Sequence, residues 1–167
     1  SKIFVESPGF HQRDFVRDFT KRFERFGISK DRVILRNRDP NLQYISYNEF
    51  DIALDPFPFG GGTTTCDALW MGMPLVTLYG DTLMSRSGLS ALTILGRPEW
   101  ACGTTEEYVR CAANLASDIP ALNELRLGLR GEMERSPFMD YEGFAEDLAG
   151  AFGKMWARYA AENGSAQ

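Results

Sequence analysis

Three glycines followed directly by three threonines stand in the segment from Asp51 to Leu78, DIALDPFPFGGGTTTCDALWMGMPLVTL. A plain turn needs one or two glycines, so this run is longer than a turn requires. Glycines at 60–62 leave the backbone open to a close ligand, and hydroxyls at 63–65 can donate hydrogen bonds to its oxygens. These residue types favour a site for a phosphorylated ligand over a turn that only changes chain direction.

The glycine–threonine run lies where a predicted strand turns into a helix, from about residue 64 to 71. A helix N-terminus presents unpaired N–H groups and partial positive charge, so it binds phosphates. The threonines are expected to cap this helix as well. Asp67 lies in the first turn, where a carboxylate repels phosphate but suits the hydroxyls of a ribose. The P-loop and dinucleotide motifs G-x-x-x-x-G-K-[ST] and G-x-G-x-x-G are both absent.

Other residues with reactive side chains are assigned structural or surface roles. Asp51 and Asp55 are expected to cap their strand rather than to act in catalysis. His11, the only histidine, is expected to be inert in a loop. Cys66 either has a pKa lowered by the helix N-terminus or, with no base beside it, fills space. Arg86 either reaches a phosphate or the sugar, or is solvated. No catalytic residue is identified.

Strands and helices alternate through the first half of the chain. Strands are predicted at 2–6, 32–36, 51–55 and 74–80, and helices at 14–26, 40–47 and 64–71. This alternation predicts an α/β fold with a doubly wound parallel sheet covered by helices on both faces. Ligands of such sheets sit outside the carboxyl ends of the strands, where the glycine–threonine run lies.

The second half is mainly helical. Helices are predicted at 83–96, from an N-cap at Thr104 or Thr105, from 120 to about 135, and near the C-terminus, with a short edge strand at 98–103. Several apolar side chains are expected to pack in the core: Phe15, Phe19, Phe23, Phe26, Leu42, Ile45, Trp100 and Trp156. The last helix carries an apolar stripe of Phe144, Leu148, Phe152 and Met155.

Composition excludes several classes of protein. The chain has 167 residues, of which 44% are hydrophobic, which is typical of one globular domain. A net charge of −5 gives no basic surface for nucleic acid. The three cysteines have no metal-ligand spacing, so a reducing compartment is expected and a zinc site is not. The apolar runs are too short for a membrane span, which predicts a cytoplasmic protein.

Four segments carry a resemblance to a known family. They are DIALDPFPFGGGTTTCDALWMGMPLVTL, SRSGLSALTILG, TTEEYVRCAANLASDIPALNELRLGLR and SPFMDYEGFAEDLAGAFGKMWARY. Together they resemble the C-terminal catalytic lobe of the O-linked N-acetylglucosamine transferase family, including its bacterial members and the plant SPINDLY-type O-fucosyltransferases. The resemblance covers almost the whole chain in the family's order.

The resemblance implies a GT-B glycosyltransferase, in which two Rossmann-like lobes face each other across a cleft. Residues 1–160 are then the nucleotide-sugar-binding lobe of a larger enzyme, and residues 161–167 a flexible tail. The implied full-length chain has an N-terminal catalytic lobe and tetratricopeptide repeats that receive the acceptor protein. The last helix is expected to cross toward the other lobe. In this chain its apolar face would then be partly exposed and prone to self-association.

The resemblance also implies which residues bind the donor. The donor's diphosphate sits at the helix N-terminus matched by Gly62, Thr63 and Thr64. The family often has His at the first of these positions, so with Gly62 one phosphate contact is lost or replaced by Thr65. The family's ribose-binding carboxylate matches Asp67.

The segment RDPNLQYI, residues 38–45, matches the family's loop and short helix that hold the base and ribose. The animal transferase has Lys and His where this chain has Asn41 and Tyr44, so the base and the sugar are left open. The expected donor-binding residues are Gly61, Gly62, Thr63, Thr64, Thr65, Asp67, Asp39, Asn41 and Tyr44.

The implied activity is that of a metal-independent inverting protein O-glycosyltransferase, with no cofactor, no metal and no nucleic-acid or membrane partner. The implied reaction moves N-acetylglucosamine from UDP-GlcNAc to Ser or Thr of a protein. The TTTC run and SDIPALNELRLGLR look more like the SPINDLY branch, so a GDP-fucose donor is the first alternative. A non-catalytic nucleotide-binding domain is the second.

Overall fold

A computed structural model describes residues 1–42 and 44–163 of the chain. The chain divides into two compact units, one of residues 1–51 and one that begins at Ile52. The prediction that residues 1–160 form a single lobe stays a prediction, and the two units are taken one at a time.

The first unit contains two parallel strands and a helix between them. Strands β1 (Ile3–Ser7) and β2 (Val33–Asn37) pair in parallel, with Ile3 opposite Val33. Helix α1 (Arg13–Glu24) connects them and is followed by Gly27 at a φ of 75°. Glycine adopts this left-handed conformation without steric cost, which is why it can end the helical segment.

The phenylalanines near α1 pack less completely than the sequence predicts. Phe10 is buried, and the rings of Phe15 and Phe19 lie 5.3 and 5.2 Å from its ring. Phe15 nevertheless remains 41% exposed and Phe26 85% exposed. The prediction that all four helical phenylalanines form core is therefore wrong for these two. Phe26 lies beyond the last residue of α1, where helical spacing no longer fixes its direction.

The predicted helix at 40–47 is replaced by two short 3₁₀ turns, Pro40–Leu42 and Ile45–Glu49. Side chains in a 3₁₀ turn repeat every three residues, so an α-helical pattern does not describe their directions. Leu42 and Ile45 are exposed rather than inward-facing, and the prediction for them is wrong.

The second unit is built on a three-stranded parallel sheet in the order β3 (Ala53–Leu54), β4 (Leu75–Leu78), β5 (Ala101–Cys102). Helices α2 (Thr63–Trp70), α3 (Ser87–Leu95), α4 (Thr105–Leu115) and α5 (Ile119–Glu134) follow or connect the strands. The central strand is the most buried, and Leu69, Leu92 and Leu129 are fully buried. The parallel strands alternating with helices confirm the α/β class.

Three helices of the second unit have clear capping residues, and one of them, the N-cap predicted at Thr104 or Thr105, is confirmed at Thr104. Thr104 caps α4 in a capping box, in which its side chain accepts from the Glu107 amide and the Glu107 side chain accepts from the Thr104 amide. Helix α3 is followed by Gly96 at a φ of 83°. The Asp118 side chain caps α5, which begins at Ile119, one residue before the predicted start at Pro120. Trp100 is buried, as predicted.

Helix α6 (Tyr141–Asn163) has no buried residue. Its bulky apolar side chains are all exposed: Tyr141, Phe144, Leu148, Phe152, Met155, Trp156 and Tyr159. The expectation of an exposed apolar face is confirmed, whereas the packing role predicted for Trp156, which is 69% exposed, is wrong. The first part of the predicted tail, 161–163, continues the helix, and residues 164–167 lie outside the described residues.

No helix in residues 1–42 and 44–163 has both the length and the apolar character that a membrane span requires.

Two leucines provide a matched test of this packing. We expect Leu129→Ala to lower the free energy of unfolding by about 2 to 5 kcal/mol, because it leaves a cavity in the core. The same substitution at the exposed Leu148 is expected to cost less than about 1 kcal/mol and to reduce self-association. Urea unfolding and sedimentation velocity measure the two effects. Equal losses of stability at the two positions would contradict the assigned packing.

Candidate functional site

The N-terminus of α2 is open to solvent. Gly62 is the N-cap residue, and Gly62, Thr63 and Thr64 are all exposed. In residues 1–42 and 44–163 the amides of Gly62 and Thr63 have no hydrogen-bond partner. No side chain caps the helix, because its N-cap is a glycine, so the expected capping by threonine is wrong. Unpaired amides at an accessible helix N-terminus form a site for an anion.

Asp55 lies directly under this loop and is only 3% exposed. Its Oδ1 accepts a hydrogen bond of 2.8 Å from the Gly61 amide, and its Oδ2 accepts one of 2.7 Å from the Thr77 hydroxyl. Burial raises the pKa of the Asp55 carboxyl, while the bonds from Gly61 and Thr77 act in the opposite direction. The preference for a capping role at this strand end is confirmed, although the group that Asp55 holds is the glycine loop.

The backbone of Asp55 is fixed by two further contacts. Its amide donates to the Val76 carbonyl at 2.9 Å, and its carbonyl accepts from the Tyr108 hydroxyl at 3.0 Å. Burial raises the pKa of Tyr108 to about 12, so its hydroxyl remains protonated and donates at neutral pH. The position of Asp55 is therefore set by β4 and α4 together.

Ser87 holds the other side of Gly61. Its hydroxyl donates a hydrogen bond of 2.8 Å to the Gly61 carbonyl. The amide and the carbonyl of Gly61 are thus bound by side chains from two different elements, the end of β3 and the start of α3. We call Asp55 and Ser87 the Gly61 clamp.

The three positions differ in why a glycine is present. A Cβ on Gly60 would lie 2.9 Å from Asp55 Oδ2, and a Cβ on Gly61 would lie 2.6 Å from Thr65 Oγ1. These contacts are too short for any side chain, so the first two glycines make room for the chain's own side chains. A Cβ on Gly62 would meet nothing within 4 Å. The space expected for a ligand beside the backbone is therefore present at Gly62 alone.

The threonines also differ from one another. The side chains of Thr63 and Thr64 are exposed, whereas Thr65 is 1% exposed. The Thr65 hydroxyl has no hydrogen-bond partner among the described residues, and it faces the backbone of Gly61. Asp67 is half-buried and is the fifth residue of α2, so its predicted place in the first turn is wrong. Of the six residues expected here, Gly62, Thr63 and Thr64 are the ones exposed to solvent, while the role of each toward a donor stays a prediction.

The other three expected donor-binding residues belong to the first unit. Asp39 Oδ1 accepts hydrogen bonds from the Asn41 amide at 2.9 Å and from its side-chain Nδ2 at 3.1 Å. Tyr44 is exposed. The three residues lie on one short surface segment, and their part in binding a base or ribose stays a prediction.

The other candidate residues show no arrangement typical of a catalytic or metal site. His11 is exposed, with its Nδ1 2.8 Å from the Pro8 carbonyl oxygen. Burial, and then the charge of Asp67, raise the pKa of the Cys66 thiol, so the lowered pKa considered for it is wrong. Arg86 donates to the Gly80 carbonyl at 3.3 Å. Among residues 1–42 and 44–163 no three His, Cys, Asp or Glu side chains are arranged to hold a metal ion.

Sequence reasoning missed Ser87, Thr77 and Tyr108. The position of Ser87 in the chain could have indicated its role. Ser87 follows the loop after β4, and β4 is the strand next to β3. Carboxyl ends of neighbouring parallel strands lie at one edge of the sheet, so the loops after β3 and β4 are expected to meet. Tyr108 carries no such signal, because only the packing of α4 brings it to Asp55.

Comparison with known proteins gives one consistent result. The family model of glycosyl transferase family 41 matches residues 15–148. A probable UDP-N-acetylglucosamine–peptide N-acetylglucosaminyltransferase SPINDLY from Hordeum vulgare is 37% identical over 95% of this chain and 17% of its own length. The UDP-N-acetylglucosamine–peptide N-acetylglucosaminyltransferase of Caenorhabditis elegans is 31% identical over 80% of this chain and 12% of its own length.

A solved structure is also similar. A mutant of the Thermobaculum terrenum O-GlcNAc transferase superposes with a TM-score of 0.83 and 31% identity, over 93% of this chain and 30% of that one. This similarity confirms the predicted fold, a Rossmann-like lobe of a GT-B glycosyltransferase. The chain spans less than a fifth of the length of the curated relatives that it matches.

The contrast between Gly61 and Gly62 can be tested by the same substitution. We expect Gly61→Ala to lower the free energy of unfolding by about 2 kcal/mol, because its Cβ collides with Thr65 Oγ1. Gly62→Ala, whose Cβ points into open space, is expected to cost at least about 1 kcal/mol less. Urea unfolding measures both. The interpretation of the loop is wrong if the two variants are equally stable.

Two buried threonines give a second matched pair. Thr77→Val removes a donor from the buried Asp55 carboxylate and is expected to cost about 1 to 3 kcal/mol. Thr65→Val removes a buried hydroxyl without a partner, so we expect it to be neutral or to stabilise by up to about 1 kcal/mol. The measurement is the free energy of unfolding of each variant. A loss at Thr65 as large as that at Thr77 would show that the Thr65 hydroxyl has a partner.

Proposed function

Since the chain belongs to glycosyl transferase family 41, we propose that it is the donor-binding half of a protein O-glycosyltransferase that uses UDP-GlcNAc. The products would be UDP and a protein carrying N-acetylglucosamine on Ser or Thr. The names of the plant and nematode relatives support this substrate and reaction. The observation that carries the proposal is the exposed N-terminus of α2, with the unpaired amides of Gly62 and Thr63.

The proposed chemistry is stabilisation of the departing diphosphate. When the bond from the sugar to the nucleotide breaks, negative charge grows on the diphosphate oxygens. Fixed N–H donors and the positive end of a helix dipole stabilise that charge without having to reorganise during the reaction. The exposed hydroxyls of Thr63 and Thr64 would add two further donors. No step of this stabilisation requires a metal ion, and we propose a metal-independent inverting reaction.

The remaining donor-binding roles are proposed from chemistry. Asp67, in the second turn of α2, would accept hydrogen bonds from the ribose hydroxyls. Asp39, Asn41 and Tyr44 offer a carboxylate, an amide and an exposed phenol ring, which are suited to a ribose and a base. Thr65 is not proposed as a direct phosphate ligand, because its side chain is buried in this conformation.

The wider setting is proposed as well. The acceptor protein would bind to a second catalytic lobe of a longer chain, preceded by tetratricopeptide repeats and located in the cytoplasm. The catalytic base is not among the residues named above. This lobe on its own is therefore expected to bind nucleotide and to turn over little.

A GDP-fucose donor is the second candidate. Six SPINDLY relatives are 35% to 45% identical to this chain, compared with 31% for the nematode transferase. This difference supports placement nearer the SPINDLY branch, for which the sequence resemblance implies fucose transfer. The names of the same relatives specify UDP-N-acetylglucosamine, which favours UDP-GlcNAc as the donor.

Nucleotide binding separates these candidates. Isothermal titration of the 167-residue chain with UDP, UDP-GlcNAc, GDP and GDP-fucose is expected to show weak binding of the uridine nucleotides. Thr64→Ala is expected to weaken UDP binding by about tenfold, because one hydroxyl donor to a charged oxygen is lost. Thr105→Ala, at the exposed start of α4, is the matched control and should leave binding unchanged.

A preference for GDP would replace the proposed donor with GDP-fucose. Absence of binding to all four compounds would leave a non-catalytic domain as the better description.

A further inference from the structure

Gly61 is held on both sides by side chains that come from separate elements. Asp55 accepts from its amide at 2.8 Å, and the Ser87 hydroxyl donates to its carbonyl at 2.8 Å. Glycine can adopt more backbone conformations than any other residue. The two hydrogen bonds restrict the backbone dihedral angles of Gly61. The contacts make one conformation of the loop dominant.

The next residue is fixed from the helix side. The Gly62 carbonyl accepts from the amides of Thr65 and Cys66 at 3.1 and 3.3 Å, in the first turn of α2. The peptide unit that joins Gly61 to Gly62 is thus held at its Gly61 carbonyl by Ser87. The unit that follows is held at the Gly62 carbonyl. Between these two anchors the amides of Gly62 and Thr63 keep one direction.

The Asp55 carboxylate of the Gly61 clamp is closely packed against the start of α3. A Cβ on Gly88 would lie 2.5 Å from Thr77 Oγ1 and 2.9 Å from Asp55 Oδ2, so only a glycine at position 88 leaves room for these two side chains. Thr77 donates to the carboxylate from β4. A carboxylate accepts from Gly61 and Thr77 at once without presenting a donor to either, which an amide side chain cannot do.

A buried hydroxyl in the first turn of α2 has no hydrogen-bond partner among the described residues. Thr65 Oγ1 lies beside the Gly61 backbone, and it is unpaired within residues 1–42 and 44–163. Unpaired buried polar groups are rare and costly in native proteins. The Thr65 hydroxyl is thus a second polar group at the start of α2, besides the open amides of Gly62 and Thr63, that the described residues leave unsatisfied.

We propose that Asp55 and Ser87 are positioning residues of the donor site. By holding Gly61 from both sides, they aim the amides of Gly62 and Thr63 at the place where a diphosphate binds. This inference rests on the proposed function, because it assigns the purpose of the clamp to the nucleotide. Neither side chain needs to touch the ligand, since each acts through the Gly61 peptide groups.

The test compares two clamp variants with a rescue variant and two controls. Ser87→Ala removes the donor to the Gly61 carbonyl, and Asp55→Asn replaces the charged acceptor with a neutral one. Ser87→Thr keeps the hydroxyl and is the rescue. The matched controls are Ser90→Ala on the exposed side of α3 and Asp81→Asn in the exposed loop after β4. Thermal unfolding establishes that every variant is folded.

The first readout is affinity for UDP and GDP by isothermal titration. We expect Ser87→Ala to weaken binding by about threefold to tenfold and Asp55→Asn by about tenfold, with wild-type affinity in Ser87→Thr and both controls. Both residues act through Gly61, so their effects should not be independent. The fold-loss of nucleotide affinity in the double variant should therefore be smaller than the product of the fold-losses in the two single variants. Equal affinity in wild type and clamp variants overturns the inference and leaves the proposed function intact.

The second readout needs no ligand. Hydrogen exchange of the 15N-labelled chain should show a protected Gly61 amide that exchanges at least about tenfold faster in Asp55→Asn. The amide resonances of Gly62 and Thr63 should shift in both clamp variants and not in the controls. If wild type binds no nucleotide while these amide changes occur, the proposed function fails and the orienting action of the clamp is supported. If resonances 61–63 are unchanged, the inference fails.

Discussion

One buried carboxylate organises the ligand-facing part of this lobe. Asp55 is withdrawn from water at the end of β3 with two hydrogen-bond donors, and no cation pairs with it among the residues that the structure describes. A buried charge is costly unless its hydrogen bonds are made, so its two donors are obligatory partners. One of these donors is the Gly61 amide, so the loop lies close to Asp55 at Gly61. The following residue then faces outward at the start of α2.

The same constraint explains the composition of the loop. Gly60 and Gly61 are glycines because Asp55, Thr64 and Thr65 occupy the space that a Cβ would need. Only Gly62 leaves open space beside an accessible backbone. Two of the three glycines are thus needed for packing inside the protein, and the third leaves space for a ligand. The sequence alone does not tell which glycine has which role.

The sequence predicted the α/β class, the strand–loop–helix junction and the N-cap of α4, since each depends on local spacing and residue type. It predicted the exposed apolar face of α6 only through the family resemblance. It failed at five positions where an apolar side chain was assumed to be buried: Phe15, Phe26, Leu42, Ile45 and Trp156. It also missed Ser87 and Tyr108, because contacts between distant elements have no local signature. The burial of Thr65 was missed for a related reason. The three adjacent threonines are equivalent in the sequence, and only the geometry of α2 makes Thr63 and Thr64 exposed and Thr65 buried.

A crystal structure of the chain soaked with UDP would show whether the amides at the start of α2 bind a diphosphate. We expect diphosphate oxygens about 2.7 to 3.2 Å from the amides of Gly62 and Thr63, with the Gly61 clamp unchanged. Density for the diphosphate elsewhere, or a Gly61 amide that leaves Asp55 to bind it, would rule out this role for α2.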